Sequence, residues 1–567
     1  MSVFESDRDQ PARVAAELSA TPGWRRLTEL DPDLDDETAA TIIAEAAKIA
    51  DAVVAPLNPV ADREGCRLEN GRVRTPAGYR GAYKAIAEAG FLGVEIAPEV
   101  GGQGLPVTLQ AACGPFFEGA CPAFMMLAGA SRAAAHLMMS VADETIRDAW
   151  VPRLLSGEWG ATICISEPDA GSDVGRIRTR AEQADGIWRV TGQKIWISFG
   201  DHDVTDRIGH CLLARTGDEP GTRGLSLFLV PSIRDDGTAN AVTVSRIEEK
   251  LGLHGSPTCA LGFDGAEAVL LGREGRGLPA LFAMIEQMRL LTGCEGLGIA
   301  ARAADVAFAY AVDRRQGGDP EEAPLPIVRH ADVRRQLLAL DAQTEILRAA
   351  ILELAVSMDL ARREEGAAAE DNAAFVAWLL PMVKTFGAET GFDVASGAIQ
   401  VLGGAGYTRE WPVEQALRDS RVLAIYEGTS GIQALDFLTR RLWREKGRGL
   451  ADFLDRAKAA IEAARPLDAD LAGTAERVVS RFERLSSVMM EREDVPRDGE
   501  AGASGYMRAG WCAISAVMAV RLLIAGTETP SQSALKAVAR FRLHTLEGEM
   551  GLAEAQASMT AELMEAI

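Results

Sequence analysis

The sequence predicts an α+β fold in which helices come first, a middle β-domain follows, and helices return, with an extra helical domain at the C-terminal end. Three observations predict it. Segments with helical apolar spacing dominate residues 1–160 and 278–448, short β-rich runs fill residues 161–277, and an Ala- and charge-rich helical pattern restarts over residues 449–567. The chain has 567 residues, 47% of them hydrophobic and 25% charged, which is ordinary globular composition and more than one hydrophobic core can hold.

Taking the elements in order, Thr38-Ala39-Ala40-Thr41-Ile42-Ile43-Ala44-Glu45-Ala46-Ala47 opens a stretch over residues 37–155 that reads as helical throughout, interrupted by the glycine-rich loop Pro98-Glu99-Val100-Gly101-Gly102-Gln103-Gly104. The character then changes. Runs at 190–198, 212–215, 225–230 and 242–244 are short, rich in β-formers and bounded by Gly, Asp and Pro. Long helices are expected from Leu278, at 331–358 and at 373–402, with the polar, Pro/Gly-rich run 314–324 as a loop between two of them. In the C-terminal segment the acidic, Gly-rich run 491–505 reads as a loop. No internal repeat of fixed period is present.

The composition excludes several classes of function. A net charge of −23 without a long basic run opposes binding to nucleic acid or to anionic lipid. The N-terminus lacks the basic-then-apolar order of a secretory signal, so a cytoplasmic location is expected. The most apolar stretch, 510–525, is broken by Ser515 and Arg521 and falls short of the roughly twenty apolar residues of a spanning helix, so no stable membrane insertion is expected. Eight cysteines are scattered without a C-x-x-C pair and six histidines without an H-E-x-x-H pair, which predicts neither a disulfide framework nor a metal site. No phosphate loop, nucleophile elbow or strand-linked G-x-G-x-x-G occurs.

Three dense blocks remain. The first is Cys164-Ile165-Ser166-Glu167-Pro168-Asp169-Ala170-Gly171-Ser172-Asp173, followed by Gly192-Gln193-Lys194-Ile195-Trp196-Ile197-Ser198. A small-residue turn beside a strand with an aromatic ring next to a hydroxyl suits a flat heteroaromatic ligand, though taken alone it reads first as an ordinary turn with a core Trp. The second runs from Glu248 through His254-Gly255-Ser256-Pro257-Thr258 to Arg289. His254 reads as a loop residue because nothing nearby forms a dyad with it, and Glu286 and Arg289, one helical turn apart, read as a solvated helix pair. The third is Gln400-Val401-Leu402-Gly403-Gly404-Ala405-Gly406-Tyr407-Thr408, then Arg418-Asp419, then Ile425-Tyr426-Glu427-Gly428-Thr429-Ser430. Its glycines permit close backbone approach, while Glu-Gly-Thr-Ser alone could be a helix-capping turn.

Together, with this spacing, the blocks closely resemble the signatures of the acyl-CoA dehydrogenase family over residues 56–443. The resemblance implies an N-terminal helical domain, a middle β-barrel or sandwich, and a C-terminal four-helix bundle. It implies FAD as cofactor, with Ile163, Ile165 and Ser166 on one side of the isoalloxazine and Trp196, Ile197 and Ser198 on the other. Ser166 and Ser198 stand where members often have Thr. It also implies contacts from Gln400, Gly404, Arg314 and Gln316 to the FAD of a neighbouring subunit, and from Thr429 to the cofactor. Ser172, Glu286, Arg289 and Gly428 are implied in binding the acyl-CoA.

Glu427 matches the catalytic base. The implied reaction is α,β-dehydrogenation of an acyl-CoA to a trans-2-enoyl-CoA, with Glu427 taking the α-proton and flavin N5 the β-hydride. An electron-transfer flavoprotein would be the oxidant and a homodimer, or a tetramer, the assembly. Two departures from the family pattern stand out: Gly317 replaces the Phe of the Arg-x-(Thr/Gln)-Phe-Gly element, and Gly431 replaces a common Gln. The second is usual in longer members with a C-terminal extension, among them the 3-methylmercaptopropionyl-CoA dehydrogenases, which implies short- to medium-chain substrates or that thioester. An acyl-CoA oxidase, a flavin monooxygenase of the same fold and a non-catalytic flavin-binding assembly protein remain as alternatives.

Overall fold

The computed structural model describes residues 8–525 and 530–566, and the chain folds as two compact units. One comprises the described residues of Lys48–Pro106 and Phe116–Met288; the other, those of Met1–Ala47, Val107–Pro115 and Arg289–Ile567.

The first unit contains the sheet. Its strands are β1 (Arg67–Glu69), β2 (Arg72–Arg74), β3 (Trp159–Cys164), β4 (Arg180–Ala184), β5 (Ile187–Ser198), β6 (Arg207–Arg215), β7 (Leu225–Pro231), β8 (Val242–Ile247) and β9 (Thr258–Leu271). The order β6-β4-β5-β9-β7 closes on itself because β7 pairs back onto β6, which makes a small barrel. β3 adds in parallel to β6, and β8 adds antiparallel to β9. Val190, Leu212, Phe228, Leu261 and Phe263 fill the barrel interior. The residues of β6 are buried almost without break, as expected for a strand covered on both faces.

β1 and β2 form a hairpin inside a stretch whose sequence reads as helical. The turn is Asn70-Gly71, both with positive φ (52° and 76°), the conformation a tight two-residue hairpin demands. Around the barrel in this unit are the helices Asn58–Glu64, Tyr79–Glu88, Pro122–Val141 and Glu144–Leu155.

The second unit is helical. Its framework is the C-terminal part of α1 (Gly277–Asp313), then α2 (Ala331–Arg363) and α3 (Gly366–Leu402), followed by the short helices α4 (Val413–Ser420) and α5 (Ser430–Asp436). Only Glu364 and Glu365 separate α2 from α3, so the two long helices pack as neighbours. The extension contributes α6 (Arg448–Ala464), α7 (Ala469–Glu491), α8 (Pro496–Ala525) and α9 (Pro530–Ala557). These helices share one continuous core with α2 and α3, in which Leu354, Trp378, Phe437, Phe453, Phe482, Tyr506 and Leu543 are all buried. An N-terminal helix, Gln10–Ser19, docks on α2 through buried ion pairs, with Arg13 Nη1 2.8 Å from Glu345 and Arg348 Nη1 3.3 Å from Glu17.

The expected loop at 491–505 is mostly helix. α8 starts at Pro496, and its glycines serve packing: a Cβ on Gly499 would lie 2.5 Å from the Trp443 ring, and on Gly502 or Gly505 it would overlap the backbone of Ala557. Close approach between helices outweighs the poor helix propensity of glycine. α8 is also long and apolar enough, by length and composition, to cross a membrane, contrary to the shorter stretch expected from the sequence; most of its apolar window is buried in the core of its own unit. All eight cysteines are free, and only Cys66 is not fully buried.

Candidate active site

In the barrel unit, the ends of β3 and β5 lie side by side. Ser198 O accepts from Thr162 Oγ1 at 2.9 Å, and Ser166 O accepts from Ile195 N at 2.9 Å. This brings Ile163, Ile165 and Ser166 together with Trp196, Ile197 and Ser198. The register of β5 against β9 shifts between Lys194 and Ile197, and at this bulge Trp196 takes φ +64° and remains 58% exposed. A bulge re-aims a side chain. Here it turns a large aromatic ring out of a strand whose neighbours Lys194 and Ile197 point into the core.

Beneath this edge Lys194 is fully buried, donating to Ile165 O at 2.9 Å and to Glu167 Oε1 at 2.8 Å. Glu167 also accepts from the backbone N–H groups of Arg178 and Thr179, at 2.7 and 3.1 Å. Despite its burial, Glu167 is held below the usual carboxylate range by Lys194. The edge is therefore tied down from beneath and aromatic at its exposed tip, a lining that suits a planar heterocycle. Ser172 lies just beyond, on the exposed turn after Ala170.

His254 sits in a loop of this unit, but it does have a partner. Its Nδ1 is 2.8 Å from Asp62 Oδ1 and its Nε2 is 2.9 Å from Lys250 O, so the ring pins the loop to the helix Asn58–Glu64. The sequence could not show this partner because 192 residues separate the pair.

Glu427 belongs to the helical unit. It lies in a turn before α5 with φ +54°, and Gly428 follows with φ +90°. A left-handed glutamate costs on the order of 1 kcal/mol and persists only where its surroundings impose it. The constraints are visible. Lys384 of α3, fully buried, donates to Leu423 O at 2.9 Å and to Gly428 O at 2.7 Å. Gln433 Nε2 donates to Glu427 O at 3.3 Å, and the Thr429 hydroxyl accepts from Ile432 N at 3.3 Å, capping α5. A Cβ at position 428 would stand 2.7 Å from Gln433 Nε2. The turn is thus a helix cap as well as the seat of the glutamate.

Glu427 is half-buried at its surface, and the surrounding protein pushes its carboxyl above the ordinary value, with Lys384 and Arg289 opposing the shift. Burial lowers Lys384 to about 8 against the pull of Glu427 and Glu295. Glu286 is exposed, while Arg289 donates to Asp436 Oδ2 at 3.0 Å, a carboxylate shared with Arg440 and Arg441.

The remaining expected residues gather at one end of this unit. The last turns of α1 and α3 share a cluster in which Tyr310 meets Trp411 edge-on at 5.1 Å. Arg314 and Gln316 follow α1 there, exposed; Gln400, in the last turn of α3, and Gly404, in the turn after it that ends at Tyr407, are exposed too, Tyr407 at 87%.

Two residues around the Glu427 turn were not singled out from sequence: Lys384, and Glu295, whose carboxylate accepts from the Tyr426 hydroxyl. The available signal was a lone charge in an otherwise apolar helix, as in Met382-Val383-Lys384-Thr385-Phe386 and Gly293-Cys294-Glu295-Gly296-Leu297. Among the described residues, no group of three or more His, Cys, Asp or Glu is placed to hold a metal ion.

Residues 36–158, 162–266 and 275–442 match family models described as the N-terminal, middle and C-terminal domains of acyl-CoA dehydrogenase. The 3-methylmercaptopropionyl-CoA dehydrogenase of Ruegeria pomeroyi is 37% identical over 450 residues, 77% of this chain and 76% of that one. The broad-specificity linear acyl-CoA dehydrogenase FadE5 of Mycobacterium tuberculosis is 36% identical over 442 residues, 74% of this chain and 72% of that one. Among solved structures, Caenorhabditis elegans ACDH-11 in complex with C11-CoA matches with a TM-score of 0.80 at 20% identity, covering 99% of this chain and 94% of that one. An acyl-CoA dehydrogenase from Bacillus anthracis complexed with FAD matches with a TM-score of 0.76 at 21% identity, covering 93% and 89%. The structural likenesses establish a shared fold that includes the C-terminal extension.

Proposed function

Because the chain belongs to the acyl-CoA dehydrogenase family and is an FAD-dependent oxidoreductase, we propose that it desaturates an acyl-CoA thioester between Cα and Cβ, with Glu427 as the base. The observation that carries this reading is the constrained turn at Glu427, which holds a carboxyl of raised basicity in a left-handed conformation between buried tethers. An α-proton of a thioester is too weakly acidic for an ordinary solvated carboxylate, so a base with raised pKa, fixed in position, is what the step requires.

Glu427 takes the α-proton onto its carboxylate. Its backbone N–H is the proposed donor to the thioester oxygen as negative charge grows there. Lys384 keeps the turn in place, and its positive charge lets Glu427 be ionised before the proton arrives. Ile163, Ile165, Ser166, Trp196, Ile197 and Ser198 are the residues proposed to hold the FAD ring, which when bound would supply a hydride acceptor facing Cβ. The proposed product is a trans-2-enoyl-CoA.

The proposed substrates are short- to medium-chain thioesters or 3-methylmercaptopropionyl-CoA, in keeping with the identity to the Ruegeria enzyme. An electron-transfer flavoprotein is the proposed oxidant. A homodimer is the proposed assembly, with Arg314, Gln316, Gln400 and Gly404 reaching the partner's cofactor; sedimentation mass checks it.

The test is anaerobic. Flavin absorbance is followed in the wild type and in Glu427→Gln as acyl-CoAs from propionyl to palmitoyl, together with 3-methylmercaptopropionyl-CoA, are added. Bleaching in the wild type and not in the variant is expected, and bleaching of both at equal rates would remove Glu427 from the role.

A further inference from the structure

Helices α1 and α3 touch through glycines in the helical unit. A Cβ on Gly296 would overlap the backbone of Gly387, one on Gly387 would lie 2.7 Å from Gly293 Cα, and one on Gly391 would lie 3.1 Å from Gly296 Cα. Such close approach brings polar side chains of both helices to a buried place that bulkier residues would fill. Glu295, next to Gly296, and Lys384, one turn before Gly387, are those side chains, at 4% and 0% exposure.

Each reaches the turn that carries Glu427. The hydroxyl of Tyr426, the residue before Glu427, donates to Glu295 Oε2. Lys384 donates to the carbonyl of Gly428, the residue after Glu427, at 2.7 Å. The turn is therefore held on both sides, to α1 through a side chain and to α3 through the backbone. We propose that Glu295 is a positioning residue for the base, fixing the Glu427 turn through Tyr426 and placing a second carboxyl beside it. The inference rests on Glu427 being the base.

The charges around the pair can be enumerated. Tyr426, Glu427 and Lys384 act on Glu295, and Lys384 and Arg289 act on Glu427. Arg289 is offset by Asp436, which Arg440 and Arg441 also approach. Burial raises Glu295 to about 7, with the Tyr426 hydroxyl and Lys384 opposing the shift and Glu427 adding to it. As Glu295 ionises near neutral pH, its negative charge makes Glu427 hold a proton more tightly, so the two carboxyls titrate as a pair.

Three variants separate the tether from the charge. Tyr426→Phe removes the tether and leaves the carboxyl; Glu295→Gln removes the charge and keeps an acceptor for the hydroxyl; Glu295→Leu removes both. Each is purified with its flavin, and the rate of anaerobic flavin reduction is measured against pH at several concentrations of the best acyl-CoA found for the wild type. Tyr426→Phe and Glu295→Leu are expected to slow the maximal rate about tenfold or more with KM within about threefold, as misplacement of a reacting group does. Glu295→Gln is expected to keep the plateau rate and to move the acid limb to lower pH.

Wild-type rates and an unshifted acid limb in all three variants would overturn the inference. So would losses that follow flavin content and thermal midpoint alone, since that is the mark of a merely structural contact. Glu427→Gln run alongside separates the two readings. If it reduces flavin normally, the assignment of the base fails; if it is inactive while the Glu295 variants behave as wild type, only the present inference fails.

Discussion

Lys194 and Glu167 form a buried ion pair, with 2.8 Å between ammonium and carboxylate, directly under the strand edge that carries Ser166 and Trp196. Removing one member of such a pair leaves the other charge buried, at a cost of about 3–5 kcal/mol. Lys194→Met is expected to lower the thermal midpoint and to release flavin during purification, read as a fall in the ratio of visible to ultraviolet absorbance. Full flavin retention would show that the pair does not organise this edge.

A second buried pair joins Arg521 of α8 to Glu353 of α2, with Arg456 of α6 3.8 Å from the same carboxylate. Arg521→Leu is expected to destabilise the helical unit by about 3–5 kcal/mol, and the double variant Arg521→Leu, Glu353→Leu to recover part of the loss, because it removes the stranded charge. Thermal melts of the three proteins, followed by circular dichroism, give the comparison.

His210 is 1% exposed against Phe263, and burial pulls it down to about 4 from 6.5. Above pH 6.5 the imidazole is neutral in both folded and unfolded chains and folding carries no penalty from it. As pH falls from 6.5 toward 4 the unfolded chain takes the proton first, and stability declines by up to about 3 kcal/mol. His202, also lowered to about 4 by burial, with Asp201 and Asp203 opposing the shift, adds a decline of the same sign. His210→Leu is expected to flatten the drop in urea midpoint between pH 7 and pH 5 relative to wild type. An unchanged drop would exclude His210 as its source.

Gly505 of α8 meets the backbone of Ala557 so closely that a Cβ would overlap it. Gly505→Val is expected to cost about 1–3 kcal/mol through forced separation of α8 and α9. The loss should appear as faster amide exchange in those two helices, while the barrel unit exchanges as before.

The order of helices, strands and helices was readable because its periodicities are long and unmixed, and the Glu427 motif because its residues lie within a few positions of one another. What escaped has local causes. The hairpin at Arg67–Arg74 is short and sits among helical patterns, although Asn70-Gly71 marks its turn. β9 hides behind Gly262, Asp264 and Gly265, which break its alternation. The helical glycines of α8 read as loop because their purpose, contact with Trp443 and Ala557, lies elsewhere in the chain. The Asp62 partner of His254 and the meeting of Glu295 with Tyr426 join residues 192 and 131 positions apart, and no spacing rule connects them.

The unbroken core running from α2 and α3 into α6–α9 has a consequence for what can be cut or inherited. Trp378, Phe437, Phe453, Phe482 and Tyr506 form one chain of stacked and tilted ring contacts across residue 449, so a cut there would split that chain of contacts. A gene shortened to end there would encode a bundle with an open apolar flank, which would have to recruit another surface to survive. The extension thus supplies the cover over α2 and α3, and a change in its length would have to come with a change in what covers those two helices.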